Sequence, residues 1–430
     1  MLLINNQTVE QILDMKGCMA ALETGYRDLI DERAVYRGRY DLFVPNDDPK
    51  LMYRWGTMEG ASRSFETFAI RMKSDMLEWP EGKTVEKYCI EPGTFCGIVM
   101  VFSTRNGEPL AIINDGIIQH MRVGGCAGLG VKYLSREDSS VIGIVGSGGM
   151  ARTYLLAFNE VREIREVRVY SPTQKNRDTF AKEMSEKLGL KIVRVEKAED
   201  AVRGCDIAAT CTDSIQVVVD DPSWVEPGMH LTCVKSNEWN PEIVKKSDLV
   251  IKMGRATMNL DVGMRRIGGE AAVVAGNEEE IKRIANPRID IFSGDFPLLT
   301  DVMSGKIKGR TDGNQVTFFA NSGTQGLQFA ATAGYVVMVQ DVRARWSSDG
   351  DKFFMFRSEA EDGHAVALHF MHYNFAKIHQ TLDAHPRVTL HDYPGLDHGF
   401  AAEMGNRRNE EGAALADSRT EAFFAQHLAA

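Results

Sequence analysis

Residues 141–151 read VIGIVGSGGMA, an apolar and β-branched run that leads into a glycine-rich turn. The spacing Gly146-x-Gly148-x-x-Ala151 is typical of turns that bind dinucleotides. Gly146 permits the tight turn, Gly148 lets a pyrophosphate approach the backbone, and Ala151 allows the following helix to pack closely on the strand. A glycine turn with a purely structural role could carry the same residues, but the strand before it and the helix after it favour dinucleotide binding.

Short apolar strands alternate with helical segments after this turn. We predict a helix over about 150–160, whose N-terminus would hold the phosphates. This alternation is typical of a doubly wound parallel sheet, so the predicted fold class is α/β. The predicted strands lie at 167–170, 191–195, 205–210, 230–234 and 248–253.

The regions on either side of this sheet have a different pattern. Residues 8–33 have helical periodicity, whereas 66–73 and 96–102 resemble strands separated by turns. Residues 315–330 resemble a return strand and a helix that join the first region. The expected plan is therefore a Rossmann domain inserted into an α+β domain that binds substrate and forms a dimer.

The predicted boundaries follow from this plan. The substrate and dimerisation domain comprises residues 1–129 and 301–333, the Rossmann domain 130–300, and a separate C-terminal fragment 334–430.

Composition excludes several classes of partner. The chain has 430 residues, of which 43% are hydrophobic and 26% charged, and its net charge is −10. An acidic chain is a poor ligand for nucleic acid or for an anionic membrane surface, and we expect neither. The N-terminal segment resembles no signal peptide and no apolar run is long enough to span a bilayer, so a cytoplasmic location is expected. The cysteines are scattered without a CxxC pair, which favours buried thiols over disulfides or zinc ligands.

Several segments taken together resemble the ornithine cyclodeaminase/mu-crystallin family over about residues 1–333. The resemblance implies a two-domain fold, a homodimer, a nicotinamide cofactor, and hydride transfer at the nitrogen-bearing α-carbon of a small amino or imino acid. The matching segments are IRMKSD at 70–75, the stretch 107–135, the glycine turn, WVEPGMHLTCV at 224–234 and GRTDGNQVTFF at 309–319.

The resemblance assigns substrate-binding roles to four cations. Arg122 matches the arginine that binds the substrate carboxylate, for which a planar guanidinium is well suited; a surface ion pair is the alternative. Arg71 replaces the family's substrate-binding lysine, and Lys73 shares its face of the strand. A solvated edge strand would explain both of these residues equally well. Arg39 is a further candidate for contact with the carboxylate.

One position departs from the family. Asn237 stands where the cyclodeaminases have a catalytic aspartate, and an amide cannot accept the proton. Glu238 follows it; we expect Asn237 and Glu238 to line the reacting centre, where Lys73 or Lys235 could supply a proton. Amine oxidation or imine reduction is therefore favoured over cyclodeamination. The alternative is a non-catalytic, crystallin-like protein that binds nucleotides.

The end of the second Rossmann strand bears on the choice of cofactor. Ser171 stands where NAD enzymes place a carboxylate, and Thr173, Lys175 and Arg177 follow it. This pattern favours NADP over NAD, unless the two cations only form the solvated first turn of a helix. The other predicted cofactor contacts are Ser147, Gly149, Met150, Thr210, Cys211, Thr212 and Val234.

The C-terminal fragment breaks the family pattern. Residues 334–363, with the predicted strand VVMVQ, resemble an early strand and loop of cocaine-esterase-type α/β hydrolases. Residues 385–428 resemble the end of a dienelactone hydrolase, including its catalytic histidine at His398 and a terminal helix. The hydrolase-like fragment contains no GxSxG or GxCxG elbow, and the one GxCxG match of the chain, at 124–128, lies within the stretch 107–135 that resembles the cyclodeaminase family, so hydrolysis is a remote alternative.

Histidines are concentrated in the same fragment. His369 and His372 have the i, i+3 spacing that allows two ligands to share a metal on a helix. Because no third ligand follows in a recognisable pattern, we predict no metal site.

Overall fold

The computed structural model describes residues 1–78, 85–87, 97–235, 237–255, 264–267, 271–274, 295–321, 324–340 and 409–428. The chain divides into two units, Met1–Gln340 and Asp341–Ala430. Of the second unit the structure describes one helix, which fits the terminal helix predicted there. His369, His372 and His398 lie outside the described residues, as does most of the sequence that resembles hydrolases.

Elements are numbered in chain order. The first unit begins with β1 (Leu2–Ile4), α1 (Asn6–Ile12), α2 (Met15–Ile30), β2 (Ala34–Tyr36), β3 (Arg39–Pro45), β4 (Leu51–Ser62), β5 (Thr67–Glu78), β6 (Val85–Lys87), β7 (Gly97–Ser103), β8 (Pro109–Asn114) and α3 (Gly116–Leu134). It continues with β9 (Val141–Val145), α4 (Gly149–Val161), β10 (Glu166–Tyr170), α5 (Gln174–Leu188), β11 (Lys191–Arg194), α6 (Ala198–Val202), β12 (Ile207–Thr210), β13 (His230–Cys233), α7 (Pro241–Lys246) and β14 (Leu249–Lys252). The remaining elements are β15 (Met264–Ile267), β16 (Ala271–Val274), α8 (Leu299–Met303), β17 (Thr317–Ala320), α9 (Gln325–Gln340) and, in the second unit, α10 (Glu410–Leu428).

A parallel sheet carries the glycine turn, as predicted. Its strand order is β11-β10-β9-β12-β13-β17-β14, and every neighbouring pair is parallel. All five residues of β9 are buried, as expected for a strand covered on both faces. The chain order reverses between β9 and β12. Ligands of such sheets bind in the crevice at that point, beyond the carboxyl ends of the strands.

Two parts of the chain pair differently from the prediction. The return strand was expected to join the first region, but β17 lies between β13 and β14, with Phe318 paired to Leu231 and Val250. Its four residues are all buried, so an apolar strand is accommodated in the interior of the parallel sheet. Conversely, β16 comes from the range predicted as the Rossmann domain but pairs with β3 in the other sheet.

The second sheet is mostly antiparallel and is centred on the long hairpin of β4 and β5. Each strand has twelve residues, and buried positions alternate along β5, so one face points inward. Helices α2 and α9 pack on that face. The N-terminus of α9 crosses β4 so closely that the two backbones are in contact. Only glycine fits at position 326, because a Cβ there would overlap the carbonyl oxygen of Glu59.

The strand predicted at VVMVQ is wrong, because residues 336–340 form the end of α9. Val336 is fully buried in the hydrophobic core around α2, α3 and α9, together with Ala333 one turn earlier. Helix propensity disfavours valine by only about 0.7 kcal/mol at most, whereas burying its side chain contributes about 1.5–3 kcal/mol. Packing therefore decides the conformation here.

Helix α3 lies between the two sheets and contacts α2 on one side and α4 on the other. Glycines permit both close approaches. A Cβ at Gly124 would lie 2.6 Å from the Thr153 side chain in α4, and a Cβ at Gly125 would lie 2.8 Å from Leu22 in α2. The position of α3 is therefore coupled to the glycine turn that precedes α4.

The described cysteines are buried thiols that form no disulfide with one another, as predicted: Cys18, Cys126, Cys205, Cys211 and Cys233. Across the part of the chain that the structure describes, no helix is both long and apolar enough to cross a membrane.

His230 is a buried neutral side chain at the start of β13. Its Nδ1 lies 2.9 Å from the Thr317 hydroxyl in β17. Burial, reinforced by the charges of Arg310 and Arg162, lowers the pKa of His230 to about 3.

This histidine should make the fold sensitive to acid. Its ordinary pKa is 6.5 and its folded pKa is about 3, so the unfolded chain takes up the proton first. We expect this residue to reduce the free energy of unfolding by up to about 1.4 kcal/mol per pH unit as the pH falls below about 6.5. Urea unfolding of wild type and His230→Asn at several pH values measures the difference. If the free energies of unfolding of the two proteins fall equally with pH, His230 is not a source of the acid sensitivity.

Candidate functional site

The glycine turn has the geometry that a pyrophosphate requires. Gly146 has φ +116°, and a Cβ there would overlap the carbonyl oxygen of Cys211. Gly148 is exposed and a Cβ there would have no atom within 4 Å, so the space in front of the backbone is open. Ala151 is fully buried. The turn leads directly into α4, whose N-terminal N–H groups can bind an anion.

Glu238 joins the loops that follow β12 and β13. Its fully buried carboxylate accepts five hydrogen bonds, from the backbone N–H groups of Thr212, Val234 and Lys235 and from the hydroxyls of Thr210 and Thr212. This residue was predicted to lie at the reacting centre. Both of its oxygens are instead occupied in fixing the two loops beside the glycine turn.

Asn237 lies in the same pair of loops. It is buried, and its amide Nδ2 donates a 3.3 Å hydrogen bond to the Ser214 carbonyl oxygen. The Lys235 ammonium lies 3.5 Å from the same oxygen. These three residues therefore come together at the carboxyl ends of β12 and β13, next to the turn.

The cations predicted after β10 differ in their surroundings. Lys175 and Thr173 are exposed at the start of α5. Arg177 is buried, and it donates to the Ser171 carbonyl oxygen and to the Glu196 carboxylate at 2.6 Å each. The alternative that Arg177 is a solvated cation of the first helix turn is therefore wrong, because its side chain ties the end of β10 to the loop after β11.

Arg122 is a buried cation held by neutral groups. It lies on α3, and its Nη1 and Nη2 donate to the amide oxygens of Gln328 and Gln119 at 2.6 and 2.7 Å. Its Nε is buried and has no hydrogen-bond partner among the described residues. Burial, and after it the charge of Arg71, lowers the pKa of Arg122 to about 10, so the group is still a cation at neutral pH. The alternative of a surface ion pair is excluded.

Arg71 lies on the inner face of β5, close to Arg122. Its Nε donates to Asp115 at 2.6 Å, and its side chain is 1% exposed. The guanidinium carbons of Arg71 and Arg122 lie 5.2 and 5.0 Å from the centre of the Phe329 ring. This one ring therefore brings the two predicted carboxylate-binding residues together.

Lys73 shares this face, as its spacing from Arg71 predicted. Its ammonium lies 2.9 Å from Asp75, which also forms an ion pair with Arg54. The residues opposite Lys73 on the neighbouring strands are Gly56 and Gly97, and the carboxylates of Asp41 and Asp115 fill the space in front of them. Because these charged groups are buried, the alternative of a solvated edge strand is excluded for Arg71 and Lys73.

Arg39 lies on β3, one residue before the Tyr40–Thr57 pair with β4, and so one step along the sheet from the Met58–Arg71 pair of β4 and β5. Its Nε donates to Asp41 at 2.7 Å, and its Nη2 is buried with no hydrogen-bond partner among the described residues. The structure thus places all four predicted substrate-binding cations on or above one sheet face.

Sequence reasoning missed the groups that hold these cations. Asp75 and Asp115 are the buried counter-ions, and Gln119 and Gln328 are the amide partners of Arg122. His120 was also missed; a Cβ at Gly149 would lie 3.0 Å from its Nε2, which places it beside the glycine turn. Only Asp75 carried a signal, because it continues the i, i+2 series of Arg71 and Lys73.

Comparison with known proteins identifies the family of this chain. The family model described as "Ornithine cyclodeaminase/mu-crystallin family" matches residues 92–338. The alanine dehydrogenase of Archaeoglobus fulgidus is 26% identical over 332 residues, which are 75% of this chain and 90% of that protein. The Delta(1)-pyrroline-2-carboxylate reductase of Bacillus cereus is 22% identical over 329 residues, which are 75% of this chain and 92% of that one.

Solved structures show the same fold. The Delta(1)-pyrroline-2-carboxylate reductase of Thermococcus litoralis, in complex with NADH and L-proline, is 26% identical with a TM-score of 0.61, over 79% of this chain and 97% of that one. An archaeal alanine dehydrogenase dimer with bound NAD is 21% identical with a TM-score of 0.59, over 79% of this chain and 95% of that one. The family model covers more than half of the chain. The chain therefore belongs to the ornithine cyclodeaminase/mu-crystallin family.

Proposed function

We propose that the chain is an NAD(P)-dependent oxidoreductase that transfers a hydride at the nitrogen-bearing α-carbon of a small amino or imino acid. In the reductive direction a C=N bond gains a hydride at carbon and a proton at nitrogen. The names of the relatives, which are dehydrogenases and reductases of such acids, support this class of substrate.

The observation that carries the proposal is the environment of Arg122. A buried guanidinium with only neutral partners is costly, and a carboxylate ligand would remove that cost. Arg71 contacts the same ring, and Arg39 lies one step along the sheet from the Met58–Arg71 pair. We assign the substrate carboxylate to Arg122, with Arg71 and Arg39 contributing to the positive potential around it.

The residues of the glycine turn fit a nicotinamide dinucleotide. Gly146 to Ala151 would hold the pyrophosphate, with the ends of β12 and β13 (Thr210 to Thr212, and Val234) beside it. When bound, the cofactor supplies the hydride donor or acceptor. His120 lies beside the turn, in front of Gly149, and belongs to the same helix as Arg122, so α3 carries residues of both the cofactor site and the carboxylate site.

The proton requires a separate group. Asn237 cannot accept or release one, and the Glu238 carboxylate is committed to five hydrogen bonds. We assign proton delivery to Lys73, which is buried on the face that carries Arg71 and is held by Asp75. Reduction of a preformed imine needs only this one proton, so we favour it over cyclodeamination.

The test is a cofactor-oxidation assay with a panel of cyclic and acyclic imino acids. For Arg122→Gln we expect KM to rise about 10- to 100-fold, because a hydrogen bond to a charged group contributes about 1.5–3 kcal/mol. For Lys73→Met we expect kcat to fall about 100-fold or more. Arg105→Gln, which changes an exposed arginine, is the matched control. Unchanged kinetics in Arg122→Gln would refute the assignment.

Asn237 favours one second candidate, a non-catalytic protein that binds nucleotides. Saturable binding of NADH or NADPH without turnover of any imino acid in the panel would support that candidate and overturn the first.

We propose further that NADPH is preferred to NADH. No carboxylate follows β10 to repel a 2′-phosphate, and Lys175 is exposed at the start of α5. Arg177 contributes less directly than its sequence position suggested, because Ser171 and Glu196 already engage it.

Fluorescence titration tests this preference. We expect NADPH to bind about fivefold more tightly than NADH, as one exposed contact between a cation and a phosphate contributes about 1 kcal/mol. Lys175→Ala should abolish that difference, whereas Lys182→Ala, exposed on the same helix, should preserve it. Equal wild-type affinity for both cofactors would be the contrary result.

We also propose a homodimer formed through the outer face of the antiparallel sheet. Leu3, Leu42, Val44 and Ile98 are each about half exposed or more on that sheet, a large apolar area for a monomer surface. The dimer named for the archaeal alanine dehydrogenase supports this arrangement.

Light scattering after size exclusion checks the dimer. We expect a dimer for wild type and a monomer for Ile98→Asp, because a charge at a buried apolar interface costs several kcal/mol. Val217→Asp, at an exposed valine outside that sheet, should remain dimeric. A monomeric wild type would rule out this proposal without affecting the assignment of the active site.

A further inference from the structure

The two amides that hold Arg122 come from different helices. Gln328 lies on α9 and is 2% exposed, and Gln119 lies on α3 and is 7% exposed. Each accepts one hydrogen bond from a terminal nitrogen of the guanidinium. Only two of the five N–H groups of Arg122 are therefore used by the described residues.

The orientation of the Gln328 amide is fixed by its other end. Its Nε2 donates to the hydroxyls of Tyr26 and Thr324 at 3.0 and 3.1 Å, and these hydroxyls are hydrogen-bonded to each other at 2.8 Å. A flipped amide would turn an N–H group toward the guanidinium, where two donors would face each other. The network behind Gln328 therefore presents its oxygen to Arg122.

Thr324 shows that this network is held under strain. Its φ is +55°, a conformation that a β-branched residue rarely adopts, and it is almost fully buried. Such strain persists only where surrounding contacts enforce it, and it is concentrated at functional sites. Here the enforcing contacts are the hydrogen bonds to Tyr26 and Gln328.

Arg122 differs from the neighbouring cations because neutral amides hold it, whereas carboxylates hold the others. Three carboxylates lie on or at the end of the neighbouring sheet face, and each forms an ion pair with another cation: Asp41 with Arg39, Asp75 with Lys73, and Asp115 with Arg71. Within the described ranges, no ion pair joins a carboxylate to Arg122. An amide oxygen satisfies an N–H group of the guanidinium but supplies no negative charge.

We propose that Gln328, with Gln119, is a specificity-determining positioning pair: it fixes the Arg122 guanidinium while withholding a counter-charge, so that the ligand must bring a carboxylate. The identity of the ligand as an amino or imino acid rests on the proposed function. The withheld counter-charge does not, and it can be tested without turnover.

The first experiment measures thermal unfolding of the ligand-free protein. Gln328→Glu places a carboxylate against Arg122, so we expect Tm to rise at neutral pH by about 2–4 °C. The gain should disappear in acid, where the new carboxyl is protonated. Gln328→Met, which leaves the Nη1 donor unsatisfied, should lower Tm. Gln216→Glu makes the same charge change at an exposed position outside the helices and strands and should do neither.

Gln119→Glu is the second variant, in case Gln328→Glu fails to fold, and it should change Tm in the same direction. If both glutamate variants fold with unchanged or lower Tm, the inference is overturned. Failure of both to fold would overturn it equally, since the pair would then be required for folding rather than for leaving Arg122 unneutralised.

The second experiment uses the steady-state assay of the proposed function. We expect Gln328→Glu to raise KM for the imino acid about 10- to 100-fold, with kcat and NADH affinity nearly unchanged. A purely structural role would instead lower kcat and cofactor affinity together. If Gln328→Glu is active with an unchanged KM, this inference is wrong and the proposed function is unaffected. If the wild type turns over no imino acid, the proposed function is wrong, and the Tm measurements alone then test the inference.

Discussion

The Asp115 carboxylate accepts a hydrogen bond from the Arg71 side chain through one oxygen and from the Gly97 backbone N–H through the other. These two bonds join β5 and β7 to the residue from which α3 begins. Because α3 carries Gln119, His120 and Arg122 within two turns, fixing its first residue fixes the position of the carboxylate site. The same helix packs through glycines against α4, so one buried carboxylate sets the distance between the carboxylate site and the glycine turn.

Pairing of charges on the inner sheet face gives the site its chemical character. Buried ions are tolerated when opposite charges pair with them, and Asp41, Asp75 and Asp115 each have such a partner. The cations paired with these carboxylates are Arg39, Lys73 and Arg71. They lie in surroundings where electrostatic interactions are stronger than in water. Arg122 stands apart because its partners are amides. Its charge is thus the part of this array that an anionic ligand can neutralise.

Much of the fold could be predicted because local patterns carried it. The β9 run and the Gly146–Ala151 turn specify a strand, a bend and a helix through steric rules that act within a few residues. The position of β17 could not be predicted, since a short apolar strand fits either sheet and only long-range pairing decides between them. Residues 336–340 were mistaken for a strand because burial outweighs the weak propensity of valine. At the site, the shared face of Arg71 and Lys73 followed from the two-residue repeat. The amides of Gln119 and Gln328 were not predictable, because their roles depend on contacts between separate helices.

The insertion of β17 between β13 and β14 constrains the order in which the chain can assemble. Strand β14 ends at Lys252, but its neighbour in the sheet is not synthesised until residues 317–320. During translation the cofactor-binding sheet is therefore left with an unsatisfied edge at β13, while residues 253–316 emerge from the ribosome. Edges of this kind promote pairing between chains, and closing a loop of this length slows folding. The late arrival of a four-residue strand thus makes the cofactor-binding sheet, which is encoded mainly in the middle of the chain, one of the last parts to be completed.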